Sequence, residues 1–198
     1  MDPEDVKKNF DNHNYLPRIP GKYLPPMIAV VGFSGQGKTT LTVKIVAEFK
    51  RRGFRVGTIK HDAHGFDLDH PGKDSWRHKQ AGASVTIVTS PTQVGMVRDV
   101  DHDHQPEELV PFLVGLDIVL VEGFKRSKLP KIEIFRPEIK KEPACKDDKH
   151  LIALVSDSHL DWGVPRFHTE QIFEIVSFLS EHLRLKNPKC FEVNQGLG

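Results

Sequence analysis

The sequence predicts an α/β fold: a mostly parallel sheet flanked by helices, with an antiparallel hairpin as a candidate sheet edge. Three observations predict it. The apolar run Met27-Ile28-Ala29-Val30-Val31 has the pattern of a buried strand and leads through a glycine-rich turn into a segment of helical periodicity. A second strand pattern follows that helix, which gives a strand, helix, strand unit with the right-handed crossover expected of parallel pairs. Two further buried-strand runs, Asp117 to Val121 and Leu151 to Val155, recur downstream.

The turn is Gly32-Phe33-Ser34-Gly35-Gln36-Gly37-Lys38-Thr39, which fits G-x-x-x-x-G-K-[ST], the phosphate-binding P-loop. Its glycines let consecutive backbone N–H groups curl around phosphate oxygens, and the following helix N-terminus adds partial positive charge. The candidate phosphate ligands are Gly32, Ser34, Gly35, Gln36, Gly37, Lys38, Thr39 and Thr40. Lys38 is expected to reach the β- and γ-phosphates and Thr39 to bind Mg²⁺. With a strand before it and a helix after it, the motif implies a three-layer fold of the P-loop NTPase type.

From Lys38 to Arg52, Leu41, Ile45, Val46 and Phe49 recur at helical spacing, and Gly53 is a helix stop. Phe54 to Ile59 reads as the second strand. Lys60 to Lys73 then crowds His61, Asp62, His64, Asp67, Asp69 and His70 into a polar loop. Its position beyond a strand end suits a switch or substrate loop over the phosphates. A transition-metal site and a solvated polar loop are the other two readings, and the spacing matches no zinc signature. Asp74 to Ala81 has the pattern of a short helix closed by Gly82. Ser84 to Thr89 and Gln93 to Val97 flank Ser90-Pro91-Thr92 as two strands and a turn, either an edge with ordinary intrachain pairing or a candidate surface for dimerisation.

Asp101 to Gln105 is a polar connector, and Pro106-Glu107-Glu108 suits the first turn of a helix. The strand run from Asp117 ends at Glu122-Gly123-Phe124-Lys125-Arg126. A carboxylate at such a strand end can orient Mg²⁺ or its water, so Glu122 is the candidate metal partner of Thr39 and, with Lys38, the candidate catalytic pair. Asp117 stands about 16 Å further down the sheet at ordinary strand rise, too far to share the role. Gly123 offers its N–H to a γ-phosphate in this reading, and Lys125, Arg126, Lys128 and Lys131 are either anion contacts or a solvated basic face. Leu151 to Val155 delivers Ser156 and Asp157. The Asp157 carboxylate is a candidate base contact, and a guanine reader for a nucleotide that carries guanine, because guanine N1 and N2 donate hydrogen bonds that adenine lacks. A turn or helix-start role is the alternative. The final helix opens at Thr169 or Glu170, with Ile172, Phe173, Ile175, Val176, Leu179 and Leu183 on its apolar face and Pro188 after its end.

Composition bounds the partners. The chain has 198 residues with Lys+Arg 28 against Asp+Glu 27, a formal net charge of +1, so nothing global argues for nucleic acid or a membrane surface. Cys145 and Cys190 form neither a disulfide framework nor a four-cysteine metal set and fit a reducing cytoplasm. The expected organisation is a leader at 1–26 without signal-peptide character, a nucleotide-binding domain at 27–186, and a tail at 187–198.

Five ordered blocks carry a family resemblance: Gly32 to Thr40; Val56-Gly57-Thr58-Ile59-Lys60-His61; Asp67 with Pro71 to His78; Ala81-Gly82-Ala83; and Val119 to Lys125 with Leu129-Pro130-Lys131-Ile132-Glu133. Together they resemble the molybdopterin-guanine dinucleotide biosynthesis protein B family, MobB. The resemblance implies a dimeric GTP-binding protein that assists the guanylyltransferase MobA in attaching GMP to molybdopterin, with weak GTP hydrolysis at most. It also accounts for a glutamate at the strand end, since Val-Glu-Gly-Phe is the family's version of that motif. The extra lysine that some related dimeric GTPases carry after the first glycine is absent here, where Phe33 stands. Two rivals remain: a P-loop small-molecule kinase, and a non-catalytic, nucleotide-dependent adaptor.

Overall fold

The computed structural model describes residues 24–62, 65–66, 69–140 and 142–186. Most of the expected leader, His64 and Asp67 of the polar loop, Cys190 and the tail lie outside the described residues. The stretch expected as one domain contains two compact units, the first running to Lys60 and resuming at Pro106, the second spanning His61–Gln105.

The first unit is built on β1 (Met27–Val31), all five residues of which are buried. Helix α1 (Lys38–Arg51) and β2 (Val56–Lys60) follow, the strand lying two residues later than its apolar pattern suggests. After the second unit come a 3-10 segment (Pro106–Phe112), β5 (Ile118–Glu122), β6 (Lys131–Ile134), β7 (Leu151–Val155), the short β8 (Arg166–Phe167) and α3 (Ile172–His182). The six strands form one parallel sheet in the order β2-β5-β1-β6-β7-β8.

Strand alternation sorts β1 between two cores. Ile28 and Val30 join Leu41, Ile45 and Phe49 of α1 and Ile175, Val176 and Leu179 of α3. Met27 goes to the opposite face with Ile59, Val119, Val121 and the 3-10 segment's Val110, while Ala29 and Val31 pack there beside Cys145. Full burial of side chains such as Ile45 and Phe49 contributes about 1.5–3 kcal/mol each, which explains why this layer is continuous. The far end of α1 is tied to α3 by Arg52, which bonds the Phe173 carbonyl at 2.8 Å and lies 4.5 Å over the Phe173 ring. Phe173 is nonetheless 60% exposed and belongs to the helix's outer side rather than to its apolar face as the periodicity suggests.

The second unit contains α2 (Asp74–Gln80) and the strands β3 (Val85–Thr89) and β4 (Val94–Arg98). These strands pair antiparallel as the sequence predicts, but as a sheet of their own, since the edges of the parallel sheet are β2 and β8. Val85, Ile87, Val88, Val94 and Met96 are all exposed on this hairpin. His61 faces Asp103 at 3.0 Å, and His102 stacks on His104 with centroids 4.3 Å apart. Among the described residues, no helix is long and apolar enough to cross a membrane.

Candidate functional site

The loop from Gly32 to Gly37 leaves the carboxyl end of β1 in the middle of the sheet. Gly32 has φ 144°, and a Cβ there would lie 2.6 Å from the Ile134 carbonyl, so only glycine lets the loop pass β6 this closely. Gly37 is the N-cap of α1 at φ 97°. It has no side chain to cap the first turn, which leaves the N–H groups of Lys38, Thr39 and Thr40 without intrahelical acceptors. A 14-residue helix with such an uncapped start is suited to an anion.

Two side chains give the helix start its chemistry. Thr39 donates its hydroxyl to Glu122 Oε1 at 2.7 Å, across 83 residues of sequence. Sheet register sets this contact, because Glu122 ends β5 opposite both Val30 of β1 and Lys60 of β2. Lys38 folds back to donate to the Phe33 carbonyl at 3.0 Å. Burial lowers the Lys38 pKa, Lys125 and Lys60 push it the same way, and Glu122 opposes them. Lys60 and Lys125 thus add positive potential at Lys38, with the buried Glu122 as counter-charge, a pattern that favours a polyanion.

Lys125 reaches this region through a tight reversal after β5. Gly123 (φ 102°) and Phe124 (φ 50°) are both left-handed, and Lys125 Nζ comes to lie 4.9 Å over the Phe33 ring, as Lys140 Nζ does. Two predicted contacts are corrected here. The Gly123 N–H is spent on the Val30 carbonyl at 3.1 Å, so it continues the sheet ladder instead of facing a phosphate. Lys131 is no surface cation: it is fully buried in β6 and donates to the carbonyls of Lys125 and Ser127, at 2.9 and 2.8 Å, and to Asp148. Arg126 and Lys128 are exposed. Asp117, set aside on distance, instead clasps Arg55 at 3.0 Å.

Gln36 and Asp157 lie on the other side of the loop. Gln36 is completely buried, with its amide turned to the Arg136 backbone and not outward. Asp157, just past β7, accepts from Thr169 N–H at 2.9 Å and Thr169 Oγ1 at 3.0 Å, and His168 Nε2 is 3.2 Å away. Partial burial pushes the carboxyl up, but the two Thr169 bonds, His168 and Arg136 hold it below its usual value. Both oxygens are engaged, yet an ionised carboxylate has about four acceptor positions, so capacity remains. Sequence reasoning missed Arg136 and Thr169, which follow strands but belong to no motif. Buried Glu133 of β6 accepts from the N–H groups of Ala144 and Cys145, and burial raises its pKa. Burial and Glu133 push the Cys145 thiol up to about 11, which makes it a poor nucleophile.

The sheet order, the loop at the end of its central strand and the strand-end acid define a class: an α/β protein of the P-loop type. Comparison with known proteins narrows the class. Residues 27–157 match the family model for molybdopterin guanine dinucleotide synthesis protein B. The Escherichia coli molybdopterin-guanine dinucleotide biosynthesis adapter protein is 34% identical over 174 residues, covering 84% of this chain and 98% of the relative. The adapter protein of the same name from Haemophilus influenzae is 34% identical over 162 residues, covering 80% and 89%. The crystal structure of Bacillus subtilis MobB superposes with a TM-score of 0.65 at 27% identity, covering 81% of this chain and 98% of that one. A MobB homologue from Bacillus stearothermophilus gives 0.59 at 25% identity, covering 80% and 97%. The chain belongs to the MobB family.

Proposed function

We propose that this protein binds GTP with Mg²⁺ and serves as a cytoplasmic adaptor to the guanylyltransferase MobA when GMP is attached to molybdopterin, hydrolysing GTP weakly at most. The observation that carries the reading is the 2.7 Å contact between Thr39 and the 9% exposed Glu122 at the uncapped start of α1. A hydroxyl and a carboxylate are the hard oxygen donors that Mg²⁺ takes, so the residues present fit that ion. Thr39 and Glu122 would hold Mg²⁺, which when bound neutralises charge on the β- and γ-phosphates. Lys38 leaves the Phe33 carbonyl to meet the same phosphates, and the N–H groups from Ser34 to Thr40 line the rest of the cradle. Asp157, oriented by Thr169, is the guanine acceptor in this reading. The adapter names of the curated relatives support the pathway and favour an adaptor over a kinase.

The same reading includes a homodimer formed through β3 and β4. An isolated two-stranded hairpin is marginal in water, and this one exposes Val85, Ile87, Val88, Val94 and Met96, which pairing with a second copy would cover.

The deciding experiment is reconstitution of the guanine dinucleotide cofactor with purified MobA, molybdopterin and limiting GTP. Added wild-type protein should raise the yield and Lys38→Ala should not. No effect of the wild-type protein at any GTP concentration would refute the assignment, and rapid phosphate transfer to a small acceptor would favour the kinase.

A further inference from the structure

The sheet order gives the loop two sides. β5, on one side of β1, ends in Glu122, while β6 and β7, on the other, lead into Arg136 and Asp157. Arg136 lies two residues beyond the end of β6, and Gln36 holds its backbone against the loop. The Arg136 N–H donates to Gln36 Oε1 at 2.5 Å, and Gln36 Nε2 donates to the Arg136 carbonyl at 3.3 Å. This pair of bonds turns both the oxygen and the nitrogen of a fully buried loop amide to the backbone of one arginine.

The guanidinium lies over the last glycine of the loop. A Cβ on Gly37 would be 3.5 Å from Arg136 Nη2 and 3.7 Å from its Cζ. The Arg136 Nε–H is buried and has no hydrogen-bond partner among the described residues. A buried donor left unpaired is costly unless a ligand completes it. Asp157, whose ionised form Arg136 favours, is already bonded through both oxygens to Thr169. The loop therefore carries, opposite its metal-binding side, a positioned planar cation with an unsatisfied donor.

We propose that Arg136 is a nucleotide-binding residue that grips the α-phosphate, the phosphate nearest the base, with its guanidinium fork. The proposal rests on the reading of the loop as a guanine-nucleotide site. Lys38, Thr39 and Glu122 serve the β and γ end, so a cation on the β6 and β7 side meets the other end of the phosphate chain. The fork suits two oxygens of one phosphate, which a lysine ammonium cannot match. Gln36 is a positioning residue for it.

Calorimetric titration of GDP and GTP at fixed Mg²⁺ and salt, on wild type, Arg136→Met and Arg136→Lys, tests this. Arg136→Met should weaken both nucleotides by the same factor, about ten- to a hundredfold, and Arg136→Lys should recover only part of the loss. Unchanged affinity in Arg136→Met, a loss confined to GTP, or full recovery in Arg136→Lys would overturn the proposal. Should Arg136→Met fail to fold, the wild-type protein decides: its Arg136 Nε–H resonance, assigned by its absence in Arg136→Lys, should shift when GDP binds, and no shift refutes the contact. Wild type that binds neither nucleotide refutes the nucleotide site and Arg136 with it. Wild type that binds both while Arg136→Met binds equally well removes Arg136 alone.

Discussion

Replacing Asp148 by Asn should destabilise the protein by about 3 kcal/mol at neutral pH, and the cost should fade in acid. Asp148 is the carboxylate that faces the fully buried Lys131 ammonium, whose other acceptors are the carbonyls of Lys125 and Ser127. Removing one partner of a buried pair leaves the other charge uncompensated, which costs about 3–5 kcal/mol, and the carbonyls and the new amide oxygen moderate it toward the lower figure. A second estimate comes from the carboxyl itself. Partial burial pushes it up, but Lys131 and the two His150 bonds outweigh that and hold it at about 2 against a usual 3.8. That difference corresponds to about 2 kcal/mol for the carboxylate alone, consistent with a larger total once the stranded ammonium is counted. Because the folded-state value is depressed, the stabilisation is complete above 3.8 and is lost as pH falls toward about 2. Glu48, also held at about 2 by its Arg51 and Arg52 bonds against the push of burial, titrates in the same window in both proteins and cancels from the difference. Urea unfolding of wild type and Asp148→Asn from pH 7 to pH 2.5 should give a constant gap that narrows in the last pH unit or so. A gap under about 1 kcal/mol at neutral pH, or one that does not narrow, would refute this account of Lys131.

Asp157→Asn should lower the preference for GTP over ATP about tenfold in competition binding while costing about 1 kcal/mol of stability, since Asn keeps one acceptor for Thr169. An unchanged preference removes Asp157 as the guanine reader. Ile87→Lys, on the exposed hairpin, should convert a dimer to monomer in sedimentation velocity, and a wild-type protein already monomeric at tens of micromolar would refute the hairpin interface. Gly32→Ala should cost about 1–3 kcal/mol, because its Cβ would sit 2.6 Å from the Ile134 carbonyl at φ 144°. It should also abolish the rise in melting temperature produced by Mg·GTP, and a normal rise would show that the loop tolerates the methyl group.

Much of this site was legible from sequence because its signals are local. Gly32 to Thr39 needs special backbone angles at fixed spacing, Met27 to Val31 and Ile118 to Val121 are apolar on both faces, and Glu122 is the last residue of its strand. The hairpin was legible too, through its alternating strands and its Ser-Pro-Thr turn. β6 was not, because Lys131 and Glu133 are two of its four residues and look like surface charge. Each is buried against partners that pattern reading cannot supply: Asp148 for Lys131, and the backbone of Ala144 and Cys145 for Glu133. The link between Gln36 and Arg136 spans 100 residues and leaves no trace in spacing. Phe173 was misplaced because a helix period marks it as apolar but does not reveal the Arg52 guanidinium above it.

The strand order carries a consequence for how the chain is made. Among the described strands of the sheet β1 is the first to leave the ribosome, and its five apolar residues pair with β5 and β6 and not with β2, which follows it directly. Roughly 90 residues must still be synthesised before Ile118 arrives, a wait of about 5–20 s at ordinary elongation rates. Through that interval the nascent strand is aggregation-prone, and Thr39 has no Glu122 to meet. The pairing of Thr39 with Glu122 is therefore a property of the finished chain, and a translation product truncated before β5 would hold the whole glycine-rich loop yet lack the acid that Thr39 meets.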